Sequence, residues 1–518
     1  MGRPKGKYSY QVSLGSHDSR LKSRSAPEVV DFCYAPRMKG PLPTFEPMIR
    51  YNLAHVVELH RIGVISRASA RAILKTLNWV AAQGPQAFRL DPRLESLMPN
   101  LEAILISKLG PEAGGQVLTG RSRGEVEAVA GVLVLREKLL EMLDEVQQLR
   151  AVLIDLAREN VDSVMPGFTH LQHAQPTTLG HHLACVASAL ETESGRLRDA
   201  YRRLNLSPAE SGTSWGSSYA IDRNRVADLL GFEGMIENTR YAYSSGSDKA
   251  IEISAVLAML AVTLNRFTED LYFWCTPEYG LAEAADEFAG TSYIMPQKKN
   301  VTALQHFTSV VNRSIAAFNR LALQAARSPF GIGTNLAVTM MNSAPETFVA
   351  MEDVLGAVRL ARGFVSTMSF NKRLMRERAG IHFTQGTELA DTLFREKGIA
   401  FRTAHRIVGA LVRDALAQGK NPMEMDEHML NKASVEVTGR PIRPPYGPLW
   451  RVLDPAGIVN AHKAFGATAP ASVKRSLANL SRQLRRDGAY AESKKERLLA
   501  ARKELDRQVR RLIGRGIS

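Results

Sequence analysis

Three short polar segments hold the residues best suited to chemistry. One reads Thr291-Ser292-Tyr293-Ile294-Met295-Pro296-Gln297-Lys298-Lys299-Asn300. A Gly/Ser/Thr-rich loop leads through Pro296 to two lysines and an asparagine at the expected start of a helix. Free amides and a helix N-terminus favour anions, and Lys298 adds a point charge. Such a place suits a carboxylate that gains negative charge while its neighbouring carbon loses a proton. Taken alone, the string reads equally well as a surface loop with lysines. Upstream lies Pro166-Gly167-Phe168-Thr169-His170-Leu171-Gln172-His173-Ala174-Gln175-Pro176. So many polar side chains between two prolines are costly in a core unless hydrogen-bonded or functional, although a lone His170 is more often structural than catalytic. His170 and His173, with His181 and His182, raise the question of zinc. Zinc needs a third or fourth ligand at suitable spacing, and no Cys/Asp cluster lies nearby, so no metal is expected. The third segment is Thr119-Gly120-Arg121-Ser122-Arg123. Arg123 offers a planar fork that matches a carboxylate. Ser122 also suits a helix N-cap, with Glu125 as its partner in a capping box, and both readings can hold at once.

Helices must position these segments. The longest helical pattern covers 126–161, with Leu, Val and Met three and four residues apart and no proline. A helix of that length spans roughly 54 Å. Similar stretches cover 178–205, 247–276, 301–327 and 345–368, separated by Gly, Pro, Ser or Asn clusters. Shorter helices are expected over 51–62 and 68–83. Strand-like alternation is scarce, so the fold class is all-α. The expected parts are an N-terminal helical cap (1–115), a central long-helix bundle (116–368) and a C-terminal helical cap with a basic terminal helix (369–518). Helices this long usually bury their apolar stripes against other subunits, so an oligomer is expected.

Composition narrows the class further. At 518 residues, 45% hydrophobic and 23% charged, the chain reads as a soluble globular protein of several units. No apolar run approaches the ~20 residues that span a bilayer. The basic, polar N-terminus resembles neither a secretory signal nor a lipidation site. Three scattered cysteines without CxxC spacing give no disulfide framework and suit a reducing cytoplasm. The net charge of +15 is concentrated between Lys474 and Arg515, where cations alternate with Leu and Ala at helical spacing. A solvated helix face is the expectation there, since no zinc-finger spacing or aromatic RNA-binding motif supports a nucleic-acid partner.

Together and in this order, the three segments resemble the signature regions of the fumarase/aspartase superfamily, most nearly those of its argininosuccinate lyases. TSYIMPQKKNV stands where those enzymes have GSSxMPQKKNP, THLQHAQP where they have THLQxAQP, and TGRSRGE where they have TGRSRND. FTEDLYFWCTPEYG, TELADTLFREKGIAFRTAHRIVG and FGATAPASV extend the similarity, which runs from about Pro43 to Leu480. The resemblance implies elimination of an amine from an N-substituted aspartate to leave fumarate. Ser292 would be the base on a loop flanked by Gly290, activated by amides and cations around its oxyanion. His170 would orient substrate and support proton movement. Lys298 and Asn300 would hold the carboxylate beside the reacting carbon, and Thr169, Ser122 and Arg123 would contact substrate. It also implies a homotetramer, active sites assembled from three subunits, and neither metal nor organic cofactor.

The departures are uneven across the substrate. Gln305 replaces a glutamate that pairs with the active-site histidine, and Gly124 replaces an asparagine. Thr291 and Tyr293 replace a glycine and a serine of the loop. Glu95-Ser96-Leu97-Met98 stands in place of EDIH. The YNKDMQEDK stretch that grips the arginine half has no match in SPFGIGTNLAVTMMNS, 328–343. Contacts to the fumarate half are mostly kept and those to the guanidinium half mostly changed. Two readings follow: a lyase acting on a different N-substituted aspartate, or a retired paralogue with a structural or binding role.

Overall fold

In the computed structural model, residues 24–39, 42–326 and 335–514 are described, with 335–345 as backbone only. The N-terminal segment weighed as a leader and the side chains of 328–343 therefore lie outside the described residues.

Helices dominate. The N-terminal part holds α1 (Phe45–Arg61), α2 (Arg67–Gln83) and α3 (Leu97–Leu109). Five long helices follow: α4 (Arg123–Glu159), α5 (Leu179–Leu204), α6 (Thr239–Trp274), α7 (Phe307–Ala325) and α8 (Asn335–Thr367). Side-chain caps set the starts of the first three. Ser122, Thr178 and Asn238 accept from the amides of Glu125, His181 and Tyr241, which satisfies N–H groups that have no partner within the helix. Of the capping box only this half forms, because the Glu125 carboxylate turns to other partners.

Contacts between their ends show how the long helices run. Gly180, at the start of α5, abuts the end of α4, where an added Cβ would lie 2.6 Å from the Ala157 carbonyl oxygen. Only glycine allows that approach. At the other end, Arg136 donates to Asn205 Oδ1 at 3.0 Å, so α5 runs antiparallel to α4. Helix α6 returns: Lys249 Nζ donates to the Leu204 carbonyl at 3.2 Å, and the His182 and Trp274 rings lie 4.8 Å apart.

Several boundaries differ from expectation for clear reasons. Helix α6 begins well before residue 247, because the Ser244-Ser245-Gly246-Ser247 run is buried inside it. Ser244 and Ser245 satisfy their hydroxyls on the carbonyls of Tyr241 and Ala242. The 301–327 stretch is broken at His306, leaving a short turn, Thr302–Gln305, before α7. Helix α8 starts before Pro345 and continues through it. Local breaker signals yield to the packing of neighbouring helices in each case.

Helix α6 is long and apolar, with an 18-residue window of mean hydropathy 1.5, as a buried core helix can be. Its window is 56% buried within the chain, and it packs against α5, α7 and α8.

Between α4 and α5 lies a hairpin, β1 (Val164–Thr169) with β2 (Gln172–Thr178), the longest strands among the described residues. A smaller pair, β3 (Gly290–Thr291) with β4 (Lys299–Asn300), closes the loop that carries Ser292. Further on come α9 (Gly386–Lys397), α10 (Phe401–Ala417), α11 (Glu427–Thr438) and α12 (Pro470–Ile513). Apolar side chains of α9, α10 and α11 make a cluster of their own, from Leu389 to Leu453. The basic helix α12 instead buries Val473, Leu477, Leu498, Leu505 and Val509 in the large cluster of the bundle and α1–α3. It shares a core with the bundle, although the sequence groups it with the C-terminal cap.

Candidate active site

The hairpin explains why so many polar residues sit between Pro166 and Pro176. Thr169 pairs with Gln172, leaving His170 and Leu171 as a two-residue turn. Both adopt left-handed backbone, with φ of 53° and 60°. Such turns favour Asn-Gly, and non-glycine residues held there cost about 1–3 kcal/mol each. The strained turn presents Thr169 and His170 to solvent at the tip. The neighbouring histidines have other occupations. The His173 ring lies 4.4 Å from that of His382. His181 meets Thr177 Oγ1 and the Gly466 carbonyl, and burial pulls His182 down to about 4.

The Ser292 loop is built on β3 and β4. Gly290 is required there, since a Cβ would lie 2.5 Å from Thr302 Oγ1. The backbone N–H groups of Ile294 and Met295 donate to Ser292 Oγ at 3.4 and 3.2 Å. Amides aimed at a hydroxyl oxygen stabilise its anion. The two lysines differ. Lys299 Nζ is held by Glu283 at 2.9 Å and Asp286 at 2.8 Å. Lys298 is exposed and has no carboxylate partner among the described residues. Asn300 pairs with Gly290 in β4 and is half-buried.

Arg123 and Ser122 begin α4, and here the sequence reading missed the supporting residues. Arg123 is ion-paired with Glu95, so a substrate carboxylate must compete with that side chain. Beneath the segment lies a buried polar network. Tyr51 donates to Glu125 Oε1 at 2.8 Å, and the Ser211 amide and hydroxyl donate to the same carboxylate at 3.1 and 3.0 Å. Burial, then the nearby Glu210, pushes the Glu125 carboxyl up. Burial opposes charge on Glu210 too, but His55, Arg121 and Tyr51 together keep that carboxyl below its ordinary range. His55 Nδ1 lies 2.9 Å from Glu210 Oε1 and Nε2 lies 3.0 Å from the Thr119 carbonyl. A carbonyl only accepts, so Nε2 carries hydrogen and ties down the residue that opens the segment. Arg121 stacks over the Tyr51 ring at 4.5 Å and donates to Asn52 at 2.7 Å. The visible signal was the polar run Tyr51, Asn52 and His55 on a helix otherwise suited to burial.

One chain does not bring the three segments together. Ser122 and Arg123 lie at the start of α4, and the hairpin follows its end, 37 residues later. At 1.5 Å per residue these ends are roughly 54 Å apart. The Ser292 loop belongs to the hairpin end, because it follows α6, and the Phe168 and Tyr279 rings lie 5.7 Å apart. Gln305 ends the short turn after β4 and is exposed, with no hydrogen bond to His170 within the chain.

Comparison with known proteins agrees with this architecture. The lyase family model matches residues 53–315, and the argininosuccinate lyase C-terminal model matches 383–460. The argininosuccinate lyase of Methanocaldococcus jannaschii is 33% identical over 84% of this chain and 87% of its own. Argininosuccinate lyase 1 of Shouchella clausii is 32% identical over 93% and 96%. Among solved structures, EDDS lyase in complex with formate superposes with a TM-score of 0.84 at 28% identity, covering 95% of this chain and 96% of that one. An EDDS lyase variant with bound fumarate is similar to the same degree, at 27% identity. The chain belongs to the argininosuccinate lyase family of the fumarase/aspartase superfamily and is a carbon–nitrogen lyase.

Proposed function

We propose that the enzyme releases fumarate from an N-substituted aspartate other than argininosuccinate, with Ser292 as base. The observation that carries this reading is the Ser292 loop, where two amides converge on Oγ and Lys298 stands without a carboxylate partner. Ser292 Oγ, its own proton already lost and its oxyanion held by the two amides, takes the proton from the carbon beside one substrate carboxylate. The electron pair spreads into that carboxylate, whose added charge Lys298 and Asn300 meet. It returns to form the C=C bond as the C–N bond breaks, and the amine departs with a proton. His170, with Thr169, orients the fumarate half and supports that proton movement. Ser122 and Arg123 contact the substrate from another chain. The fumarate bound to the EDDS lyase variant supports a small dicarboxylate pocket in this fold, and that enzyme's name points to a substrate other than argininosuccinate.

The site is completed between copies, in a homotetramer. Support comes from the roughly 54 Å that separates its parts within one chain. It comes also from apolar side chains left exposed on the bundle, including Tyr241, Met259, Tyr272 and Phe273 on α6, Leu323 on α7 and Val349 on α8. Long helices that leave apolar side chains exposed call for a partner. The unpaired thiols of Cys33, Cys185 and Cys275 suit a cytoplasmic location.

The test is to follow fumarate by its ultraviolet absorbance from argininosuccinate and from a panel of other N-substituted aspartates. Fumarate from a panel member, lost in Ser292→Ala, is the expected result. Efficient turnover of argininosuccinate instead would overturn the substrate assignment. Silence across the panel, and in reverse with fumarate plus amines, would overturn the reading as a whole.

A further inference from the structure

The cations of α12 are unevenly paired. Beyond Asp487, Lys494 pairs with Glu233, Lys495 with Asp144, Arg497 with Asp228, Arg502 with Glu137 and Arg507 with Glu504, whereas Lys503, Arg510 and Arg511 have no carboxylate partner among the described residues. Before it, Lys474, Arg475, Arg482 and Arg485 are exposed and have no carboxylate partner among the described residues. Arg475 lies over the Phe465 ring and Arg482 donates to Asn479. With Arg158, from the end of α4, these four line a groove of about 680 Å³ whose floor includes Leu477 and Ala478. Arg158 is itself paired with Asp155 at 2.5 Å, so the four cations of α12 carry the charge of the groove. Like charges gathered this way repel one another and concentrate anions in the groove.

We propose that this groove is a binding site for a small polyphosphate anion, distinct from the elimination site. Guanidinium groups match phosphate oxygens, and the volume lies within the range of small-ligand pockets. Extent decides between a compact ligand and a polymer. Lys474 to Arg485 covers roughly 17 Å of helix, and from Lys494 to Arg507 acidic partners neutralise every cation but Lys503. That length holds a few linked phosphates but gives no continuous path for a nucleic-acid strand. The site draws on none of the residues assigned to elimination, so its test needs no fumarate assay.

Titration calorimetry of the full-length protein with inorganic tripolyphosphate, at low and at high salt, provides the test. Saturable binding is expected, weakened at least tenfold both by high salt and by the double substitution Arg482→Gln/Arg485→Gln. Lys503→Gln, on the same helix outside the groove, leaves it unchanged. All these side chains are exposed, so circular dichroism of the variants should match the parent. Absence of binding at low salt, or equal binding by the Arg482→Gln/Arg485→Gln variant, overturns the proposal. Tighter binding of a single-stranded oligonucleotide than of tripolyphosphate overturns it in favour of a nucleic-acid surface.

Discussion

Neighbouring lysines of one loop should differ sharply when each is replaced by methionine. Lys299 Nζ sits between the Glu283 and Asp286 carboxylates at 2.9 and 2.8 Å, on an exposed surface. Its charge is already met, and solvent screens an exposed pair of this kind so that its loss matters little. Lys298 has no such partner among the described residues and belongs to the same loop as Ser292 and Asn300. If it meets the charge that develops on the substrate carboxylate, its loss removes one donor to an oxyanion, which typically costs about 2.7–4 kcal/mol. At roughly 1.4 kcal/mol per decade, Lys298→Met should lower kcat by about 10²–10³-fold, while Lys299→Met lowers it by no more than about fivefold. The assay is fumarate formation under saturating substrate, with the same panel that identifies the amine. Equal losses in the two variants would refute the assignment of Lys298. So would a tenfold or smaller loss in Lys298→Met.

Three further outcomes are expected. Leu171→Gly relieves a left-handed backbone at a position 65% exposed, so denaturant titration should show a gain of about 1 kcal/mol; a loss of that size would mean the side chain packs in the assembly. Gly290→Ala drives a Cβ to within 2.5 Å of Thr302 Oγ1, and should reduce fumarate formation more than stability. Thr302→Ala in the same chain should restore part of the activity, and failure to do so would place the defect elsewhere. Burial, with Arg136 nearby, lowers Lys249 to about 7 from its ordinary 10.5. The unfolded chain then binds more protons than the folded one between about pH 7 and 10.5, so this group makes stability rise with pH across that window. The pH dependence of parent minus Lys249→Met should show that slope, and a flat difference would mean the ammonium stays charged on the Leu204 and Leu206 carbonyls.

What was legible in the sequence, and what was not, follows from the range of the interactions involved. Helix α4 announces itself because its apolar periodicity is local, and Ser122 fits its cap for the same reason. The turn at His170 was hidden, because the signal for two left-handed residues is Asn-Gly, and His-Leu adopts that conformation only under constraint from the strands on either side. The same limit applies to Glu125. Its spacing from Ser122 suggests a capping box, whereas Tyr51 and Ser211, 74 and 86 residues away, claim the carboxylate. Similarity of motif located Ser292 and Lys298, but it could not distinguish Lys298 from Lys299 electrostatically. That distinction depends on Glu283 and Asp286, which lie outside the motif. The proposed shared site is the extreme case. Its segments are divided between the two ends of a helix roughly 54 Å long, so no folding of a single chain around α4 can join them. A substitution at Arg123 should therefore be complemented, in mixed oligomers, by a partner carrying a substitution only at His170. Recovery of fumarate formation on mixing two inactive variants is the expected outcome, and none should occur if each chain works alone.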